Sequence, residues 1–203
     1  MKKTDIHLHL TFEQHPKTEH MFVSSAEHML PHLRELSIEK GILMSSGEGN
    51  SAVPFGSNDE CRQIAEAFPG IYFWMCNLDD VPENIFERLE SYKKQGAVGI
   101  GELMINRSID DPMIQEIFAA AETLSLPVLF HMSPEVGYEY GIVDDAGLPL
   151  LEESLKKYPN LKFIGHSQPF WHEISGDASG DLSSRMEWGK GEVAPGGRLS
   201  YLF

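Results

Sequence analysis

A small set of polar side chains stands at positions suited to chemistry. The segment TDIHLHL, residues 4–10, places His7 and His9 one residue apart in an apolar run, with Asp5 in phase with both. Side chains alternate along a strand, so residues two apart share a face. Two imidazoles carried this way can grip one metal ion from a single strand. Asp5 lies below them, either as an acceptor that orients a ligand histidine or as a strand residue bonded to backbone. Glu102 ends the run AVGIGEL, His131 closes PVLFHM and His166 ends LKFIGH. Each is the polar residue that terminates an otherwise apolar stretch.

The elements that must position these groups alternate in period. Short runs rich in Val, Ile and Phe read as strands near 5–10, 41–45, 71–78, 97–103, 127–132 and 161–166. Between them lie stretches of helical period. Residues 24–40 open with a serine cap and carry Leu30, Leu33 and Leu36, while Pro31 implies a kink or a later start. Residues 58–68 offer Asn58 as a cap. Residues 82–95 carry proline and acids early and lysines late, as the helix dipole favours. Residues 111–124 and 148–158 repeat that logic. Strand starts recur about every 30 residues, one βα unit each, which predicts an α/β chain with a mostly parallel sheet. The loosest segment, 176–197, reads as an elaborated loop with a short helix, leading into a last helix at 195–203. No repeat or linker divides the chain, so one domain over residues 1–203 is expected.

In parallel βα architectures catalytic groups collect at the carboxyl ends of the strands. His7, His9, His131, His166 and Glu102 would then converge on one face. Neutral imidazole and carboxylate suit zinc first, with manganese, iron or nickel also served. The other histidines carry less. His28 and His32 lie four apart on a helix, where an exposed face is the simpler account. His15, His20 and His172 fall in loops, where plain structural roles are preferred over contact with the site. Phe170 and Trp171, just past the sixth strand, suit a pocket wall or the core equally. The aromatics of the third strand read as core, and Arg107 reads as a surface residue before a carboxylate binder.

Bulk properties exclude some classes. The 203 residues include 31 acidic and 16 basic side chains, a formal charge of −15. Such a surface repels phosphate backbones, so nucleic-acid binding is not expected. Cys61 and Cys76 form neither a metal spacing nor a disulfide framework, which suits reduced thiols in a cytoplasm. No signal peptide follows Lys2 and Lys3, and no apolar run approaches the roughly 18 residues of a membrane helix. A small-molecule substrate is the expected partner.

DIHLHL, GIGEL, PVLFHMS and KFIGHSQ, in that order, resemble the amidohydrolase superfamily, in its amidohydrolase-related branch. The resemblance implies a (β/α)8 TIM barrel with one or two metals. It implies His7 and His9 as metal ligands, His131 as a ligand to metal or substrate, and His166 as a group that binds a second metal or polarises the substrate. Glu102 matches a fourth-strand acid that ligates metal in some branches. The implied activity is hydrolysis of an amide, ester or lactone bond through a metal-activated water, with non-oxidative decarboxylation as the alternative. In the family an aspartate ending strand eight also ligates metal and takes the water's proton. No residue here corresponds to it, since six of eight strands are supplied and a seventh would begin just beyond Phe203. Asp177 and Asp181 come too early in chain order. Without that acid, Glu102 or His131 would have to move the proton. A C-terminally incomplete barrel is therefore expected, with a second copy of the chain as one means of closing its edge. Two further alternatives stand beside the hydrolase: a TatD-type phosphodiesterase or deoxyribonuclease, which shares the strand-end pattern, and a non-catalytic metal-binding remnant.

Overall fold

The computed structural model describes residues 1–16, 22–49, 56–178 and 181–193. The chain forms two compact units, Met1–Val81 with Arg88–Glu102 and Pro82–Glu87 with Leu103–Phe203.

In the first unit β1 (Lys3–Leu8), β2 (Ile38–Met44) and β3 (Tyr72–Met75) form a parallel sheet in that order. α1 (Ala26–Glu35) and α2 (Asn58–Ala67) connect them. α1 opens on Ser25, whose side chain accepts from the His28 N–H, and it carries Pro31 within it. It ends at Glu35, five residues before the expected 40. Ser37 takes φ 59° and turns the chain, so β2 begins at Ile38 rather than 41. Ser57, not Asn58, caps α2 by accepting from the Glu60 N–H. Asn58 instead bonds the backbone of Asn77 through both ends of its amide, at 2.8 and 2.9 Å. Gly41 sits where the strands meet most closely. A Cβ there would lie 2.4 Å from Leu8 Cδ1 and 3.1 Å from the Tyr72 ring. The core holds Leu43, Met44, Tyr72, Trp74 and Met75, all buried, whereas Phe73, also expected in the core, is half-buried with Lys40 Nζ 5.5 Å from its ring centre. β4 (Ile100–Leu103) joins β3 through a parallel bridge between Cys76 and Ile100. α3 (Ile85–Lys94) lies between β3 and β4 in sequence.

The second unit is built on β5 (Val128–Ser133), which pairs in parallel with β6 (Ile142–Val143) and β7 (Phe163–His166). β6 is a two-residue strand absent from the sequence expectation, so the expected sixth strand is β7. α4 (Pro112–Leu124) starts on Asp111, which accepts from the Met113 N–H with proline in the first turn. Its Phe118 is buried edge-on to Phe163 at 4.9 Å and to Tyr158 at 6.1 Å. α5 (Pro149–Lys157), α6 (Gln168–Ile174) and a 3-10 turn (Leu182–Met186) complete the described part. That turn is the short helix expected within 176–197. The expected last helix at 195–203 lies outside the described residues. Among those residues no helix is long and apolar enough to cross a membrane. The result is the α/β chain with parallel pairing that alternation predicts.

Candidate metal centre

β1 delivers its histidines through a bulge. Asp5 faces Gly41 and Leu8 faces Leu43, so β1 holds one more residue than β2 over this span. An extra residue bends a strand and re-aims its side chains. Asp5 Oδ1 accepts from the His7 backbone N–H at 3.0 Å, which fastens the bulge. Of the two roles open to Asp5, the observed bond is to backbone. His9 follows the end of β1. The chain beyond it is tied down at Thr11, whose N–H donates to Ser24 O at 3.1 Å and whose carbonyl accepts from the Ala26 N–H at 2.9 Å.

The result is convergence. The Nε2 atoms of His7 and His9 lie 3.0 Å apart. Glu102 Oε2 lies 3.1 Å from His7 Nε2 and 3.2 Å from His9 Nε2. Glu102 is held in place by the bonds around β4. Gly101 N–H donates to Cys76 O at 2.7 Å, and Ser45 N–H donates to Gly101 O at 2.9 Å. All four residues of β4 are buried, and the Glu102 side chain is 4% exposed against 20% for His7 and 42% for His9. A buried carboxylate forms the floor and two partly open imidazoles form the rim.

This donor set fits a divalent ion. Ligands held at about 2.1 Å stand about 3.0 Å apart at right angles and about 3.4 Å apart in a tetrahedron. The three observed separations fall within that interval. Removing a carboxylate from water is costly unless positive charge or hydrogen bonds compensate, and a cation between these atoms would do so. Two neutral imidazoles and one carboxylate leave a divalent ion one net positive charge and open positions for substrate or water. His7, His9 and Glu102 are thus brought together.

In the second unit His131 on β5 and His166 on β7 stand opposite each other in the parallel ladder. Their rings lie 5.4 Å apart at 66°. Ser167 locks the strand ends by accepting from the Met132 N–H at 3.1 Å and donating to Met132 O at 2.7 Å. Tyr140 adds a third ring, 4.7 Å from that of His131. Sequence reasoning missed Tyr140. The signal was GYEYG, 137–141, two tyrosines in phase between glycines after a strand-end histidine.

The remaining candidates take other roles. His28 and His32 stand edge-on at 5.7 Å on the exposed face of α1. His15 is exposed, and His20 lies outside the described residues. His172 is buried against Ser184 Oγ at 3.3 Å. Phe170 belongs to the core: its ring lies 5.7 Å from Phe130 and fills the space a Cβ on Gly165 would need. Trp171 is exposed. Arg107 pairs with Asp111 at 2.9 Å. Asp177 accepts from the N–H groups of Lys190 and Gly191, and Asp181 caps the 3-10 turn. Cys61 and Cys76 are free and buried, and burial pushes both thiols up to about 12, which leaves them unreactive.

A family model described as amidohydrolase matches residues 4–190. No curated protein matches the chain. Several solved structures are similar, three of them as follows. An uncharacterised TIM-barrel protein from Bordetella bronchiseptica is 14% identical, with TM-score 0.58 over 86% of this chain and 69% of its own. A 5-carboxyvanillate decarboxylase from Novosphingobium aromaticivorans, with bound manganese and a nitrobenzoic acid, is 14% identical, with TM-score 0.55 over 84% and 68%. A protein assigned as a 2-pyrone-4,6-dicarboxylic acid hydrolase from Pseudomonas putida is 14% identical, with TM-score 0.52 over 81% and 56%. At these identities the likeness shows the fold, which is of TIM-barrel type.

Proposed function

Because the chain belongs to the amidohydrolase family of enzymes, we propose that it is a metal-dependent hydrolase that cleaves an amide, ester or lactone bond of a small molecule. The observation that carries this reading is the buried carboxylate oxygen of Glu102 within 3.2 Å of two imidazole nitrogens. A divalent ion bound there supplies charge that polarises a substrate oxygen and acidifies water. Zinc is the proposed ion, and manganese suits the same donors.

The chain's own residues divide the work. His7, His9 and Glu102 bind the ion, and the Asp5 carboxylate keeps the His7 backbone in place. His131 is proposed as a further ligand and His166 as the group that holds the substrate's carbonyl oxygen, on their strand-end positions in the family's order. Glu102 is proposed to bind the ion through Oε2 and to take a proton on its other carboxylate oxygen. The site residues, the ion's identity and a cytoplasmic location together form this proposal.

A second reading uses the same donors. In non-oxidative decarboxylation a substrate carboxylate is held, carbon dioxide leaves and a proton replaces it on carbon. The two separate by product. The full chain, loaded with zinc or manganese, is assayed on aryl esters, lactones, anilides and hydroxybenzoates. Acid release from the first three supports hydrolysis, and carbon dioxide release alone selects decarboxylation. Bound metal without either product, or cleavage of single-stranded DNA instead, overturns both.

A further inference from the structure

A cleft of about 310 Å³ opens beside His131 within the second unit. Its walls include Tyr138, Tyr140 and Met186, which are 43%, 44% and 45% exposed, together with Glu139 and Gln168. Tyr140 is not placed there by chance contact. Ser133 Oγ donates to the Tyr140 carbonyl. Gly141 N–H donates to Met104 O at 2.6 Å, and Asn106 Nδ2 donates to Gly141 O at 2.9 Å. Gly141 takes φ +104°, and a Cβ on it would lie 2.7 Å from Ser133 Oγ and 3.0 Å from the His131 ring. The backbone on either side of the tyrosine is therefore fixed, and its ring stands edge-on to His131. Exposed aromatic rings and a thioether facing one hollow offer area that a flat ring covers well.

Charge narrows the ligand further. Among the described residues lining the cleft, Glu139 is acidic and none is lysine or arginine. Arg185, next to Met186, is buried: Nη1 donates to the carbonyls of Pro134 and Asp144, Nε lies 2.9 Å from Glu173 Oε1 as an ion pair, and Nη2 has no hydrogen-bond partner among the described residues. We infer that this cleft takes the ring of a flat substrate bearing at most one negative charge, with Tyr140 as its specificity-determining residue. This rests on the proposed function for the fate of the substrate, but the cleft's preference stands apart from the metal.

The test is ligand titration of the full chain in chelator, followed by NMR, with benzamide, benzoate and isophthalate as probes. Benzamide is expected to bind more tightly than benzoate, and isophthalate roughly tenfold more weakly than benzoate. Tyr140→Ala should weaken benzamide roughly tenfold, and Tyr140→Phe should restore it, with circular dichroism confirming that both fold. Isophthalate binding as tight as benzoate, or benzamide binding unaltered in a folded Tyr140→Ala protein, overturns the inference. Failure of the metal reading would leave this outcome untouched, because metal binding is measured separately.

Discussion

Two pairs of histidines stand at strand ends in this protein, and their neighbours differ. His7 and His9 bring their Nε2 atoms to 3.0 Å, and a buried carboxylate meets both. His131 and His166 face each other across a ladder at 5.4 Å between rings, and the Tyr140 ring lies 4.7 Å from that of His131. The first pair is joined by a carboxylate, whereas one ring of the second pair has a tyrosine ring beside it. Imidazole serves both because it is at once a neutral nitrogen ligand and a flat ring.

The sharpest way to break the second arrangement is from beneath. Phe118 is buried between Phe163 of β7 and Tyr158. Phe118→Ala should cost about 3–5 kcal/mol of stability, read by denaturant unfolding. A loss under about 1 kcal/mol would show that the ring packing does not support β7.

A smaller effect concerns pH. Asp144 follows β6 and bonds the N–H groups of Asp145, Leu150 and Leu151. Burial nonetheless pushes its carboxyl up to about 6, outweighing those bonds. The folded protein then holds this proton more tightly than the unfolded chain does. Its contribution to stability is full below the ordinary carboxyl range and is lost as pH rises from about 4 to about 6. Asp144→Asn should flatten the dependence of Tm on pH across that window. A variant whose profile keeps the parent's slope would assign the titration elsewhere.

The smallest effect tests a third histidine pair. His28 and His32 stand edge-on to each other on the exposed face of α1. His28→Ala should leave metal content unchanged by elemental analysis, and a drop would place a second ion on that helix.

The strand-end residues of the site were legible because a polar side chain closing an apolar run stands out against its neighbours. The convergence of His7 and His9 followed from alternation, although the bulge that aims them did not. Two residues per period describes a regular strand, and Asp5 bonding to the His7 N–H is a local departure from it. The end of α1 was misplaced because Leu36 and Ile38 extend the apolar pattern, whereas the positive φ of Ser37 leaves no mark in residue type. Asn58 looked like a cap because it precedes a helical run, but Ser57 competes for the same place and Asn58 is drawn to Asn77. Phe170 was open between pocket and core, and Gly165 decided it by leaving room beneath the ring. Tyr140 depends on β6, a strand of two residues, too short for any periodicity to reveal.

Calorimetric titration of the metal-free full chain with zinc, run beside Glu102→Gln, tests the central claim most directly. One equivalent should bind the parent protein, and the variant should bind at least about a hundredfold more weakly while its fold is kept. Equal affinity in the two proteins would contradict a metal centre built on His7, His9 and Glu102.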